Sequence, residues 1–203
     1  MEKSIMAKEK IIEATMNLLL ESKEDTENIS IRAITKKAQV GIGLINYHFQ
    51  TKERLIEIAV ERIFNNAIIA FKPELSLGSD NTTEWGRQGA KSKFDFLISN
   101  PAISRIFMLT DLKNPKAADN TMRSVELCNQ AIDGIAVPDK QRFLLAFTFV
   151  SVVQTLFLRK DLSKELFGYD INVKEQRDEV LDLLIDTLFG KVRHDQKGVK
   201  HGV

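Results

Sequence analysis

The chain has one cysteine, Cys128, so no internal disulfide can form. That suits a reducing cytoplasm. A lone thiol in a helical pattern reads as a small buried hydrophobe before it reads as a redox switch. Histidine is nearly as scarce: His48, then His194 and His201 near the C-terminus. There is no Cys/His ligand cluster, HExxH, CxxC, Walker-type glycine loop or GxSxG. The expectation is therefore no metal, no cofactor and no catalytic residue. Net charge is only +1 over 203 residues. No strand-like alternation and no internal repeat occur, and the N-terminus mixes charges where a signal peptide needs an unbroken apolar core. With 43% hydrophobic and 28% charged residues, the composition is that of a soluble globular protein.

What is present is concentrated between Ser30 and Leu55, SIRAITKKAQVGIGLINYHFQTKERL. Ser30 can cap a helix whose apolar positions Ile31, Ile34 and Ala38 share one face. Gly41 and Gly43 break the pattern and allow a sharp turn. Leu44 to Phe49 then form a second short helix, with Ile45 and Phe49, four apart, as its inward pair. Thr51 can cap the next helix, and Glu53 suits that helix's positive N-terminal end. Lys52 sits at the same end, where backbone N–H groups favour an anion. A lysine there is unfavourable until a phosphate arrives, so Lys52 reads as a phosphate contact. Two short helices joined by a turn make a helix-turn-helix, whose second helix enters the DNA major groove.

Charge supports the same reading. From Ser30 to Leu55 there are five cations, Arg32, Lys36, Lys37, Lys52 and Arg54, against Glu53 alone. The basic excess is local, as a phosphate-neutralising patch requires. The preceding loop, with Glu21, Glu24, Asp25 and Glu27, is acidic and is expected to face away from DNA.

The stretch VGIGLINYHFQTKERL resembles the signature of TetR/AcrR-family transcriptional regulators. Gly43 matches the family glycine, Tyr47-His48-Phe49 the aromatic run that closes the recognition helix, and Lys52-Glu53 the Lys-Glu pair opening the fourth helix. Arg32 and the small Ala33 fit the second helix. The likeness covers about 50 N-terminal residues. Asn46 departs from it, standing where an aromatic is common and where the side chain points toward DNA, so operator preference does not transfer. Ile42 and Leu44 also depart, being apolar where relatives are often polar; they suit thymine methyls. The resemblance implies an all-α protein: an N-terminal three-helix DNA-binding domain with a helix-turn-helix, over residues 1–50, and a C-terminal helical ligand-binding and dimerisation domain, over 51–190. Residues 191–203 read as a polar, basic, frayed tail. The expected DNA contacts are Arg32, Ile42, Gly43, Leu44, Asn46, Tyr47, His48 and Lys52.

Elsewhere the chain reads as punctuated helices. The first carries Ile5, Ile12, Met16 and Leu19 on one face, with Lys3, Lys8 and Lys10 near its start. The helix opened by Thr51 runs to about Phe71, ahead of a loop over 73–81. Asn81 with Glu84, and Asn172 with Glu175, resemble capping boxes. Pro101 and Pro115, each after an Asn, fit first helical positions, and Pro138 opens a long apolar helix.

That helix contains FLLAFTFVSVVQTLFL, Phe143 to Leu158, apolar nearly all round. It is shorter than the ~20 residues a bilayer needs and holds Thr148, Ser151, Gln154 and Thr155. A helix buried on two sides, by its own domain and by a partner, is the better reading, and no membrane is expected. Val180, Leu181, Leu183, Leu184, Ile185, Leu188 and Phe189 likewise cover more of the last helix than one packing face needs. A homodimer through the helices near 138–160 and 172–190 follows, as the resemblance also implies. Phenylalanines and methionines of the body (Phe94, Phe107, Met108, Met122, Phe147) read as core. The resemblance implies that some of them line a cavity for an apolar or amphipathic effector. Arg105 or Arg123 is a candidate to meet an acidic group on it. The function expected is a ligand-responsive cytoplasmic regulator, a homodimeric repressor released from a pseudo-palindromic double-stranded DNA operator by a small molecule. The alternatives are a helical interaction protein or an all-α enzyme that keeps the fold without sequence-specific DNA binding.

Overall fold

In the computed structural model, the described residues are 2–22, 29–70 and 82–190, with the side chains of 2, 3, 68–70 and 82–85 left aside. The expected capping box at Asn81 and Glu84, the loop over 73–81, the acidic residues Glu24, Asp25 and Glu27, the Lys3 side chain and the tail from 191 lie outside the described residues. The described residues form helices and no strand: α1 (Glu2–Ser22), α2 (Ile31–Ala38), α3 (Gly43–Phe49), α4 (Lys52–Ala70), α5 (Thr82–Ser99), α6 (Pro101–Lys113), α7 (Asn120–Ala131), α8 (Asp139–Leu158), α9 (Ser163–Phe167) and α10 (Lys174–Ile185). A 3₁₀ turn, Lys160–Leu162, precedes α9, and a π turn, Asp186–Gly190, follows α10. The helices group into two compact units, α1–α4 with α6, and α5 with α7–α10.

In the first unit α1 packs on α2 and α4, and α4 on α3 and α6. Ile11, Ile12, Leu19, Ile34, Ile45, Leu55, Ile103 and Met108 are fully buried. The Phe64 and Phe107 rings stack with centroids 3.7 Å apart. Thr15 is buried too, its hydroxyl satisfied by donating to the Ile11 carbonyl at 2.7 Å. Ile5, expected on the core face of α1, is instead 59% exposed. The buried stripe begins only at Ile11, and before it the described residues cover α1 only in part.

The second unit is organised around two helix pairs. α7 and α8 enclose Val125, Ala146 and Val150, with Met122, Cys128 and Ile132 packed against them. Gln154 ties the pair by donating to the Thr121 hydroxyl at 3.1 Å. α5 and α10 are joined by ions: Arg87 and Lys91 pair with Asp182, Arg87 also with Asp186, and Lys174 and Arg177 with Asp95. Arg177 is only 4% exposed, and its guanidinium lies 5.9 Å from the centre of the Phe94 ring.

Two expected helix starts are corrected. Pro115 opens no helix: α7 begins at Asn120, capped by Asp119, whose carboxylate accepts from the Met122 N–H at 2.9 Å. Asn172 does not cap α10, which starts at Lys174 with no side-chain cap. Its amide reaches back to the Lys160 carbonyl and the Asp161 carboxylate, while Arg177 takes the Ile171 and Asn172 carbonyls. These contacts close the segment 160–173, in which α9 was not anticipated. Ser163, fully buried, donates to the Lys160 carbonyl and accepts from the Ile171 N–H.

α8 meets the length and hydropathy of a membrane span by composition alone, yet only 22% of its apolar window is buried. Phe143, Leu144 and Phe147 are exposed on it, Leu144 at 62%. In α10, Val180, Leu181 and Ile185 are buried whereas Leu183 is 57% exposed.

Candidate nucleic-acid interface

The interface is built on α2 and α3. Ser30 starts α2, its hydroxyl accepting from the Ala33 N–H at 3.1 Å. Ile29 and Ile34, the flanking pair of a hydrophobic staple, are both buried. The helix ends in a Schellman turn: Val40 N–H bonds to the Thr35 carbonyl at 3.1 Å and Gln39 N–H to the Lys36 carbonyl at 3.4 Å. The left-handed residue of that turn is Gln39, at φ 55. Gly41 and Gly43, expected to allow the sharp turn, stand at it, but neither takes a positive φ. Either could carry a Cβ without meeting another atom within 4 Å.

α3 follows after one further turn, with Leu44 and Ile45 N–H groups bonding back to Gly41 and Ile42 carbonyls. Ile45 and Phe49 are buried. The helix terminates at Gln50, φ 67 and ψ −50, and the Thr51 N–H reaches over it to the Phe49 carbonyl at 2.8 Å. That is the positive-φ form of the γ-turn, a rare and strained one. Thr51 then caps α4 through the Arg54 N–H at 3.1 Å. The reading helix is therefore held at both ends by backbone turns and underneath by two apolar anchors.

The expected DNA contacts occupy its outer side. Tyr47 is 74% exposed and Ile42 50%. Arg32, Gly43 and Asn46 are exposed, while Leu44, His48 and Lys52 are half-buried. His48 packs edge-on to Tyr47, ring centroids 4.8 Å apart, and its Nε2 is buried with no hydrogen-bond partner among the described residues. Of the basic residues nearby, Lys37 is bound to Glu21 and Arg54 to Glu57. A groove overlooked in the sequence lies alongside, lined by Arg32, Lys36, Gln39, Gly41 and Ile42 among others.

The expected effector residues are divided between the units. Phe107 and Met108 are core in the first unit, where Arg105 is exposed. In the second, Phe94 is buried under Arg177, Met122 lies against the α7–α8 core and Phe147 is exposed. A shallow cavity of about 250 Å³ lies by Ser151, Val152, Thr155, Leu156, Arg159 and Phe167, none of them expected.

A capped helix, a tight turn and a second helix with a polar, aromatic outer side define a helix-turn-helix DNA-binding protein. Residues 11–59 match the family described as bacterial regulatory proteins, tetR family. No curated protein matches the chain. Among solved structures it is similar to BioQ with its natural double-stranded DNA operator, at 17% identity over 90% of this chain and 98% of that one, TM-score 0.64. It is also similar to Mycobacterium smegmatis BioQ, at 15% identity, 89% and 96% coverage and TM-score 0.61. A third likeness is to a TetR-like transcriptional regulator from Rhodococcus sp. RHA1, at 13% identity, 88% and 92% coverage and TM-score 0.55. At these identities the structures speak for the fold. Residues 11–59 thus form a tetR-family DNA-binding domain of a transcriptional regulator, and the chain as a whole shares the fold of BioQ and of the Rhodococcus regulator.

Proposed function

We propose that the protein is a cytoplasmic homodimeric repressor that leaves a pseudo-palindromic operator when a small apolar or amphipathic effector binds its body. The observation that carries the DNA-reading assignment is the division of α3 into two sides. Ile45 and Phe49 anchor it, while Asn46 and Tyr47 on the same two turns are exposed. In this reading Ile42, Gly43, Leu44, Asn46 and Tyr47 face the groove, and Arg32, His48 and Lys52 hold backbone. Asn46 suits the paired donor and acceptor of an adenine edge. BioQ, of the same fold, has been solved on its operator, which supports the same use of the helix here.

Dimerisation through α8 and α10 is supported by Leu144 and Leu183, large apolar side chains their own unit leaves uncovered. Two reading helices then meet half-sites about one helical turn apart or a multiple of it. An effector that binds better to a form with mis-spaced readers lowers DNA affinity by the same factor that DNA lowers effector affinity. Phe94, Met122 and Phe147, with Phe107, Met108 and Arg105, remain the effector candidates. The test is binding to duplex selected from genomic fragments, over a salt series and against random duplex of equal length. Selective, dimeric, steeply salt-dependent binding is expected. Equal weak binding to both would defeat the proposal.

A further inference from the structure

Gln39 occupies the left-handed region, φ 55 and ψ 47, at a position where glycine carries no Cβ penalty. Glutamine is poorly suited to it. Asn and Asp offset the strain with a short side chain that bonds locally, which glutamine's longer one does not do. Among the described residues none uses the Gln39 carboxamide, and the side chain is exposed. Strained backbone of this kind concentrates at binding sites.

Its surroundings indicate what it binds. Gln39 lines the groove formed by α2 and the following turn, together with Arg32 and Lys36. Both cations are exposed and neither pairs with a described acidic residue, in contrast to Lys37, held by Glu21, and Arg54, held by Glu57. Gly41 adds no side chain to the wall, and space remains where its Cβ would stand. Two exposed positive charges and an amide donor in an open groove match a phosphate diester, whose non-bridging oxygens accept from all three.

We propose that Arg32, Lys36 and Gln39 form a seat for one DNA backbone phosphate, with the Gln39 amide donating to a non-bridging oxygen. The strained turn holds that donor in place. The proposal rests on the DNA-binding reading above and adds a positioning contact to it, independent of base sequence.

The test begins with wild-type protein and a randomised duplex library. Enrichment of a duplex that binds more tightly than random sequence establishes the DNA-binding reading by itself; without it, that reading fails before the seat is tested. Q39G and Q39A are then compared on the selected and the random duplex. Q39G is expected to melt about 2–4 °C higher, because the backbone strain is relieved. It should bind both duplexes about tenfold more weakly, with the preference between them unchanged. Q39A, which keeps the strain and loses the amide, should show the same loss of affinity without the gain in Tm. Unchanged affinity in Q39G would overturn the proposal. So would a loss confined to the selected duplex, which is the mark of a base contact, or a loss in Q39G not shared by Q39A, which is the mark of a loosened turn.

Discussion

Arg177 on α10 donates to Asp95 on α5, and Lys174, one turn earlier, donates to the same carboxylate at 2.8 Å. Arg177 also holds the Ile171 carbonyl at 2.9 Å. One buried guanidinium thus joins α5, α10 and the segment before α10. Replacing it with alanine removes these bonds and opens a void beside Phe94. Arg177→Ala should lose at least about 2 kcal/mol in urea unfolding of the full chain. A loss below about 0.5 kcal/mol would mean the cluster is an ordinary surface ion pair.

The same carboxylates set the acid limit. Burial pushes Asp95 up, but hydrogen bonds from Lys174 and Arg177 outweigh it and hold the group below its ordinary range. Asp182 is likewise pushed up by burial and brought below its ordinary range by Lys91 and Arg87. Glu9 is lowered chiefly by its hydrogen bond from Arg62. A lowered folded pKa stabilises at pH above the unfolded value and is lost as pH falls through the folded one. These groups should leave the unfolding midpoint flat between pH 5 and 7, roughly, and lower it below about pH 4. Asp182→Asn should reduce the slope of that acid limb. An identical slope in the variant would remove Asp182 from the account.

On DNA, Asn46→Ala and Arg32→Ala should separate base reading from backbone holding. Asn46→Ala is expected to cost about 1–3 kcal/mol on the selected duplex and little on random sequence. Arg32→Ala should weaken both alike and lower the salt slope by about one. Titration by fluorescence anisotropy reads both, and equal losses on the two duplexes for both variants would defeat the role assignment.

Leu144→Glu places a charge on an exposed α8 position. In an isolated monomer the change is close to neutral. Across a dimer interface it buries an unpaired carboxylate. Light scattering should show the variant as a monomer at concentrations where the parent is a dimer, with tight operator binding lost as well. A variant that stays dimeric excludes this part of α8 from the interface.

Cys128 sits half-buried on α7, and burial pushes its thiol up to about 11. At pH 8 about one molecule in a thousand then carries the thiolate. Native protein should react with a thiol-directed disulfide reagent far more slowly than protein unfolded in urea. Equal rates would show that the thiol is open to solvent.

The helix-turn-helix was legible because its signals are local. Ser30 and Thr51 cap as their positions predict, and the four-residue spacing of Ile45 and Phe49 fixes the inward side. The left-handed residue was not legible, because glycine is the usual occupant and two glycines stood nearby, while the hydrogen bonds of the α2 terminus put the burden on Gln39. At Asn172 the local capping pattern yielded to long-range partners, Lys160 and Asp161 for its own amide. Nothing local marks Arg177 as buried, since its partner Asp95 lies on a different helix. The groove lined by α2 and the turn, residues 32–42, is contiguous in the sequence, but its shape depends on the left-handed turn at Gln39.

α3 has seven residues, about two turns. A helix of that length does not persist alone in water. Here the protein's own contacts hold it, clasped between Gln39 and Gln50 and seated on Ile45 and Phe49. The encounter with DNA is therefore a meeting of two finished surfaces. Its heat-capacity change should follow from the area they bury, without the larger signature that coupled folding of a reading segment would add.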